Sequence, residues 1–356
     1  MGIAHRKDRA MATREEREFE VIMRARRDLI EASKTLSDTE ARFLVDSYYQ
    51  GQDGRIRAQG QIRSMLGDEE NPGEPHATLS WFLAQFEIME KNMERALDVY
   101  SNSREIGRWA RSICGIGSRL SAGLMAHVDV RVTDQVSRLW AFAGYDPSVR
   151  WFKREEAEKL VKEVHAAFGN PKQLERAHLD AIATRAGRKL DGIEKRATER
   201  GTKEATWKTV TAALAARPWN AQLKVHCWRI GQSFVKVQNN KNDYYGKVYV
   251  QRKAFEQLCN ARGDYRDQAA KALSAKRYRG DTIAKKCYEN GQLPPAHIDA
   301  RARRYAVKFF LSHWHEVARE CEGLPRNKPY LFRSDHAAGK HVYIPPPNWP
   351  MAREAA

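Results

Sequence analysis

The sequence predicts a predominantly α protein, with an N-terminal helical, coiled-coil region followed by an all-helical domain that carries a helical insertion. Three observations lead there. Apolar residues recur at spacings of three and four along most of the 356 residues, the period of one helix face. No stretch alternates apolar and polar residues as a half-buried strand does. Capping signals and Gly or Pro breaks cut the chain into helix-length pieces.

Residues 14–66 read as helices. Phe19, Ile22, Met23, Leu29, Ile30 and Leu36 mark an apolar face, and Ser37-Asp-Thr-Glu40 is a capping box that restarts the helix. Gly67–Pro75 is a linker. Beyond it Leu79, Phe82, Phe86, Met89, Met93, Ala96 and Tyr100 form a heptad seam, which predicts packing against another helix, in this chain or in a second copy. Residues 1–104 are thus one region. In 105–151 the run Ile113-Cys-Gly-Ile-Gly-Ser-Arg119 joins two helices in a helix–hairpin–helix type turn. Its amides either face a phosphate, with Gly115, Gly117 and Arg119 as the contacts, or the turn only packs the two helices. Leu139-Trp-Ala-Phe-Ala-Gly-Tyr-Asp-Pro147 continues this unit to Trp151.

From 152 to 216 the chain is charged and helical, with breaks at Gly169-Asn-Pro-Lys172 and at 198–202. It reads as a solvated insertion or as a small DNA-binding module. The last region, 217–356, opens at Arg217-Pro-Trp-Asn220 and holds a helix through Lys236, a turn at Asn239–Asp243 and a basic tyrosine-rich helix with Lys247, Arg252 and Lys253. A strongly basic helix follows over Asp299–Arg319, preceded by His297, and the chain closes with a Pro-rich tail at Pro345-Pro-Pro-Asn348. In the basic helix Arg301, Arg304, Lys308 and His315 recur at helical spacing as one stripe, with Arg303 beside it, and Ala302, Val307, Phe310 and Leu311 fill the other side.

Lys and Arg number 62 against 45 Asp and Glu, a net charge of +17. That excess predicts a polyanionic partner, nucleic acid above all; a uniformly basic proteome would give the same balance. No stretch has the ~20 apolar residues of a membrane span, and the charged N-terminus lacks the apolar core of a secretory signal. The expectation is a cytoplasmic protein with no membrane partner. Five scattered cysteines without a C-x-x-C pair argue for reduced, mostly buried thiols rather than disulfides or a zinc finger. His313 and His315 point to different helix faces, so no metal site and no cofactor is expected. A serine nucleophile at Ser233 would draw charge stabilisation from Lys224, Arg229 and Lys236, although the sequence favours a helix serine packed near Gly231.

Three segments together, Gly115-Ile-Gly-Ser-Arg-Leu-Ser-Ala-Gly-Leu124, Leu139–Pro147 and Asn220-x-x-Leu-Lys…Trp228-x-Ile-Gly-x-Ser233, resemble the C-terminal half of the bridge-RNA-guided insertion-sequence transposases. They are also similar to the Nop domain of box C/D guide proteins and to the Tas proteins of tandem interspaced guide RNA systems. The likeness covers about residues 105–151 and 217–320, and 152–216 departs from it. The transposases begin with an acidic ribonuclease-H-like domain, whereas here the front is helical. The resemblance therefore implies a homodimeric guide-RNA-binding protein that reaches target DNA through RNA pairing, without its own nuclease, and leaves room for a separate effector protein. It places RNA contacts at Lys224, Arg229, Lys236, Lys247, Arg252, Lys253 and His297, and along Arg301, Arg303, Arg304 and Lys308. The alternatives it leaves are a recombinase using Ser233 and a scaffold for RNA-guided RNA modification.

Overall fold

The computed structural model describes residues 14–67, 73–148, 151–199, 204–275, 278, 280–325 and 342–351. These form fifteen α-helices, with no strand among the described residues. The chain divides into two compact units, one ending at Asp129 and rejoined from Asn348, the other spanning Val130–Pro347. The glycine turn therefore belongs with the N-terminal helices rather than opening the following unit at 105.

The first unit holds α1 (Arg14–Ala32), α2 (Asp38–Met65), α3 (Ala77–Asn102), α4 (Glu105–Ser112) and α5 (Ser118–His127). Ser37 caps α2 as the sequence predicts: its hydroxyl accepts from the Glu40 amide at 3.3 Å, and Glu40 accepts from the Ser37 amide at 2.8 Å. The heptad seam finds its partner within the chain, because α3 packs along α2. The seam itself is shifted. Phe82 and Met89 are exposed, and the positions turned inward run Leu79, Leu83, Phe86, Glu90, Met93, Leu97 and Tyr100. Glu90 hid this register, because an acid at a seam position does not read as apolar. It is buried because Arg55 of α2 donates to it at 2.6 Å. The tip of the Phe86 ring abuts Gly54, where a Cβ would sit 2.5 Å from Phe86 Cζ. On α1, Phe19 is exposed rather than packed. Small residues let α4 and α5 approach closely, and the Ser121 hydroxyl donates to the Gly107 carbonyl at 3.1 Å.

The second unit begins with α6 (Val136–Phe142), continues through α7 (Arg154–Ala167), α8 (Arg176–Ala186), α9 (Leu190–Thr198) and α10 (Trp207–Ala215), and ends with α11 (Ala221–Val237), α12 (Tyr245–Arg262), α13 (Arg266–Ser274), α14 (Ile283–Glu289) and α15 (Pro295–Cys321). Helices α7 to α10 build a core of their own from Val161, Leu179, Ile182, Ile193, Val210 and Leu214. The two ends of that segment meet: the Trp151 indole N–H donates to the Ala215 carbonyl at 2.9 Å, and Trp151 stands edge-on to Trp219 at 6.0 Å. The segment is thus a helical subdomain whose entry and exit are tied together by one tryptophan.

The principal core of the unit lies where α15 runs along α11 and α12. Phe234, Tyr245, Phe310 and Trp314 are fully buried there, and Phe234 meets Phe310 edge-on at 5.5 Å. Gly231 permits the α11–α15 approach, since a Cβ there would already lie 3.1 Å from Val307. Ala302, Val307, Phe310 and Leu311 are buried, as their spacing predicts. Among the described residues no helix is long and apolar enough to cross a membrane.

Candidate nucleic-acid interface

The sequence places cations at many positions, and the structure sorts them by whether an acid answers each one. On α12, Arg252 donates to Glu256 Oε1 at 2.6 Å, and from α15 Arg301 donates to Glu256 Oε2 at 2.5 Å. Tyr265 adds a third bond to the same carboxylate at 2.5 Å. Only 2% of the Glu256 side chain is exposed, so this is a buried ion network joining α12, α15 and the α12–α13 turn. Lys253 pairs with Asp299 at 3.3 Å and Arg303 with the same acid at 2.7 Å. Lys253 and Arg301 thus bridge α12 and α15, while Arg252 and Arg303 pair with the same two acids within their own helices, so these four expected RNA contacts are all engaged in ion pairs.

Three further expectations change. His315 does not extend the basic stripe: it is buried, 2.6 Å from the Thr133 carbonyl, because the C-terminal half of α15 leaves only the face of Ser312, Glu316 and Glu320 partly exposed. His297 is held below its ordinary pKa by desolvation and by Arg304 and Arg301, so it is uncharged at neutral pH. Arg119, in the first unit, reaches back to Glu94 at 3.4 Å and lies over the Tyr48 ring at 5.0 Å. Lys247 bonds the Lys241 carbonyl at 3.0 Å. Arg229 and Ser233 are half-buried on α11, and Lys236 is exposed in its last turn.

What remains is one corner of the second unit. Lys224 lies over the Trp219 indole, 3.9 Å from its centroid. Arg217 lies over Trp151 at 5.3 Å, and Lys308 over Trp140 at 4.2 Å. Each cation faces the electron-rich side of an aromatic ring, which holds it in place without neutralising it. Lys224, Arg217 and Arg304 are close neighbours. Lys224 is pushed below its ordinary pKa by desolvation and then by Arg304 and Arg217; Arg304 is lowered by its own desolvation and by Arg301. Among the described residues Lys224, Arg217 and Arg304 close no ion pair, and Glu256, already shared by Arg252 and Arg301, acts on Arg304 only through space. Asp146 is the acid that acts on Lys308, and it is itself occupied by the Ser148 amide and hydroxyl.

Local structure explains why the corner forms. Asn220 caps α11, its side chain accepting from the Leu223 amide at 3.0 Å, and its own amide donates to the Phe142 carbonyl at 2.9 Å. This ties the start of α11 to the end of α6. Gly144 then turns the chain at φ +71°, and a Cβ there would lie 2.9 Å from both Trp219 and Lys224. The Trp140 indole N–H donates to the Lys308 carbonyl at 3.2 Å, anchoring α6 on α15. One turn beyond Lys224, Trp228 is 57% exposed. The indoles and Arg217 were missing from the residues the sequence singled out, although two of its motifs, Leu139–Pro147 and Arg217–Asn220, contain Trp140, Arg217 and Trp219. The signal was the pairing of each motif tryptophan with a cation elsewhere in the chain, which no local spacing reveals.

Comparison with family models, curated proteins and solved structures finds no match to this chain. Among the described residues no group of three or more His, Cys, Asp or Glu side chains is placed to hold a metal ion.

Proposed function

We propose that this protein binds a structured guide RNA through the Arg217–Lys224–Arg304–Lys308 corner, and that base pairing by the RNA directs it to target DNA. The observation that carries the reading is the group of Arg217, Lys224 and Lys308, each fixed on an indole face, with Arg304 beside Lys224, none of them closing an ion pair among the described residues. Unpaired cations attract phosphates, and exposed rings such as Trp228 offer a platform for unstacked bases, the combination by which single-stranded and looped RNA is held. The resemblance of the flanking segments to Nop-type and Tas proteins supports the guide-RNA form of this reading, and the same reading carries a homodimer. Here the protein supplies backbone contacts and shape, and the RNA supplies sequence.

The test is to express the protein with its native locus, purify it, and sequence the nucleic acid that accompanies it. A discrete RNA from a neighbouring repeat or intergenic region is the expected result. Heterogeneous nucleic acid that washes off in salt overturns the guide-RNA reading. The quadruple change Arg217→Ala, Lys224→Ala, Arg304→Ala and Lys308→Ala locates the site. Losing four phosphate contacts to a single strand lowers the slope of log affinity against log salt by about 3.

A further inference from the structure

The ridge of Arg304 and Lys308 on α15 has an aromatic flank. Tyr305 and Phe309 each stand one position further along the helix than these cations, turned from them by about 100°. Tyr305 is 44% exposed and Phe309 is half-buried. Their rings lie within 15° of parallel, with centroids 6.5 Å apart. Tyr244, at the start of α12, extends the row: its ring is 20° from parallel to Phe309 at 6.4 Å. Face-to-face contact brings carbons to about 3.5–4.0 Å. At 6.4 and 6.5 Å these near-parallel rings do not cover one another's faces, so π surface stays open along the row. The buried His313 ring backs Phe309 at 4.5 Å, and Arg252 lies over Tyr305 at 4.6 Å and closes that end.

The chain around the row is cationic. From Lys236 to Arg262 the sequence holds two acids, Asp243 and Glu256, and both are buried and occupied. Asp243 accepts from the Gly246 and Lys247 amides at 3.0 and 2.8 Å, which caps α12 and fixes Tyr244 beside it. Glu256 accepts from Arg252, Arg301 and Tyr265. Lys241 and Lys247, three residues to either side of Tyr244, are exposed and close no ion pair among the described residues. Open ring faces beside unpaired cations, with no exposed acid on that stretch, suit unstacked bases: every base has a π face, and its phosphate follows the cations. A duplex has its bases already stacked on one another and has none to lay on the rings.

We infer that Tyr305, Phe309 and Tyr244 form a stacking row for the unpaired bases of an RNA strand whose phosphates run along Arg304 and Lys308, with Lys241 and Lys247 meeting the strand at the far end. The phosphate path is the one proposed above, on which this row depends. What the row adds is the flank of the ridge on which the bases lie, and that the segment bound there is single-stranded.

Full-length Tyr305→Leu and Tyr244→Leu, singly and together, test this, with Tyr305→Phe as the variant that keeps the ring. Circular dichroism and the melting temperature establish that each is folded. Binding of a fluorescent single-stranded oligoribonucleotide, of the same strand with abasic sites, and of a duplex RNA of equal length is measured across a salt series, beside the quadruple corner variant. Each leucine variant is expected to lose about tenfold in single-strand affinity at an unchanged salt slope, because a stacked base releases no counterion. Tyr305→Phe is expected to stay within about twofold of the parent, and duplex affinity to change by less than about twofold in every ring variant. The abasic strand should bind the parent as weakly as the intact strand binds the double variant. Parent-like single-strand affinity in both leucine variants overturns the row, as does an equal loss with the duplex; a lowered slope in the quadruple variant then leaves the corner standing. A quadruple variant with the parent's slope overturns the phosphate path, and with it the placement of the row, even where the leucine variants lose affinity.

Discussion

Glu256→Gln separates the cations that hold the fold from those that face outward. The carboxylate accepts from Arg252, Arg301 and Tyr265, and its side chain is 2% exposed. Glutamine keeps the shape but removes the charge, and its amide N–H₂ points a donor at one guanidinium. Two arginines then share a buried space with no anion. Breaking a buried pair in this way costs about 3–5 kcal/mol. For a unit of this size each kcal/mol lowers the melting temperature by about 2–4 °C, so the expected drop is about 6–20 °C, read by calorimetry. The acid limb of the stability curve supplies a second readout. Burial raises the Glu256 pKa, but the bonds from Tyr265, Arg301 and Arg252 outweigh it and hold the group below its ordinary value. Its contribution is therefore complete above the ordinary carboxylate pKa and is lost as pH falls through the lower, folded value. Glu256→Gln should flatten the stability curve across that window. Oligonucleotide affinity at a temperature where the variant is folded should stay within about twofold of the parent. A melting shift under 2 °C, or an affinity loss equal to that of the corner variant, would refute the division of roles.

Three further substitutions probe the elements that shape the two units. Gly144→Ala combines a positive φ with a Cβ 2.9 Å from Trp219 and Lys224; it should destabilise by about 1–3 kcal/mol and weaken oligonucleotide binding by displacing Lys224, measured on the same sample. Gly54→Ala drives a methyl to within 2.5 Å of Phe86, so urea unfolding should show a loss of about 1–3 kcal/mol, and pairing it with Phe86→Leu should recover part of that loss. Ser37→Ala removes the capping-box acceptor of α2 and should cost about 1 kcal/mol, seen as a lower urea midpoint at unchanged slope.

The helices were legible in the sequence wherever apolar period and caps agreed. Ser37 to Glu40 marks the start of α2, and Ala302, Val307, Phe310 and Leu311 define the inner face of α15. Legibility failed where a polar residue does a core residue's work. Glu90 occupies a seam position because Arg55 reaches it from α2, 35 residues earlier, and no period taken along α3 alone contains that fact. The insertion shows the same limit. Its composition reads as solvated, yet Val161, Ile182, Val210 and Leu214 are distributed over three short helices that bury them only together. The candidate interface was half visible, since Lys224, Arg304 and Lys308 stand out as cations, while the indoles beneath Lys224 and Lys308 lie 5 residues away at Trp219 and 168 away at Trp140.

A helical stripe of arginines specifies directions, and what decides an interface is whether a carboxylate lies along each direction. On α15 successive residues are turned by about 100°, so Arg301, Arg303 and Arg304 leave the same turn toward three different surroundings. Arg301 meets Glu256, Arg303 meets Asp299, and Arg304 faces Lys224 and closes no ion pair among the described residues. The same sorting occurs in the first unit, where Arg119 and Arg111 pair with Glu94 and Asp98 of α3. The acids of this protein thus sort the cations behind its +17 charge: each one that closes an ion pair withdraws a cation from the surface, and the proposed RNA site is the corner those pairs leave bare.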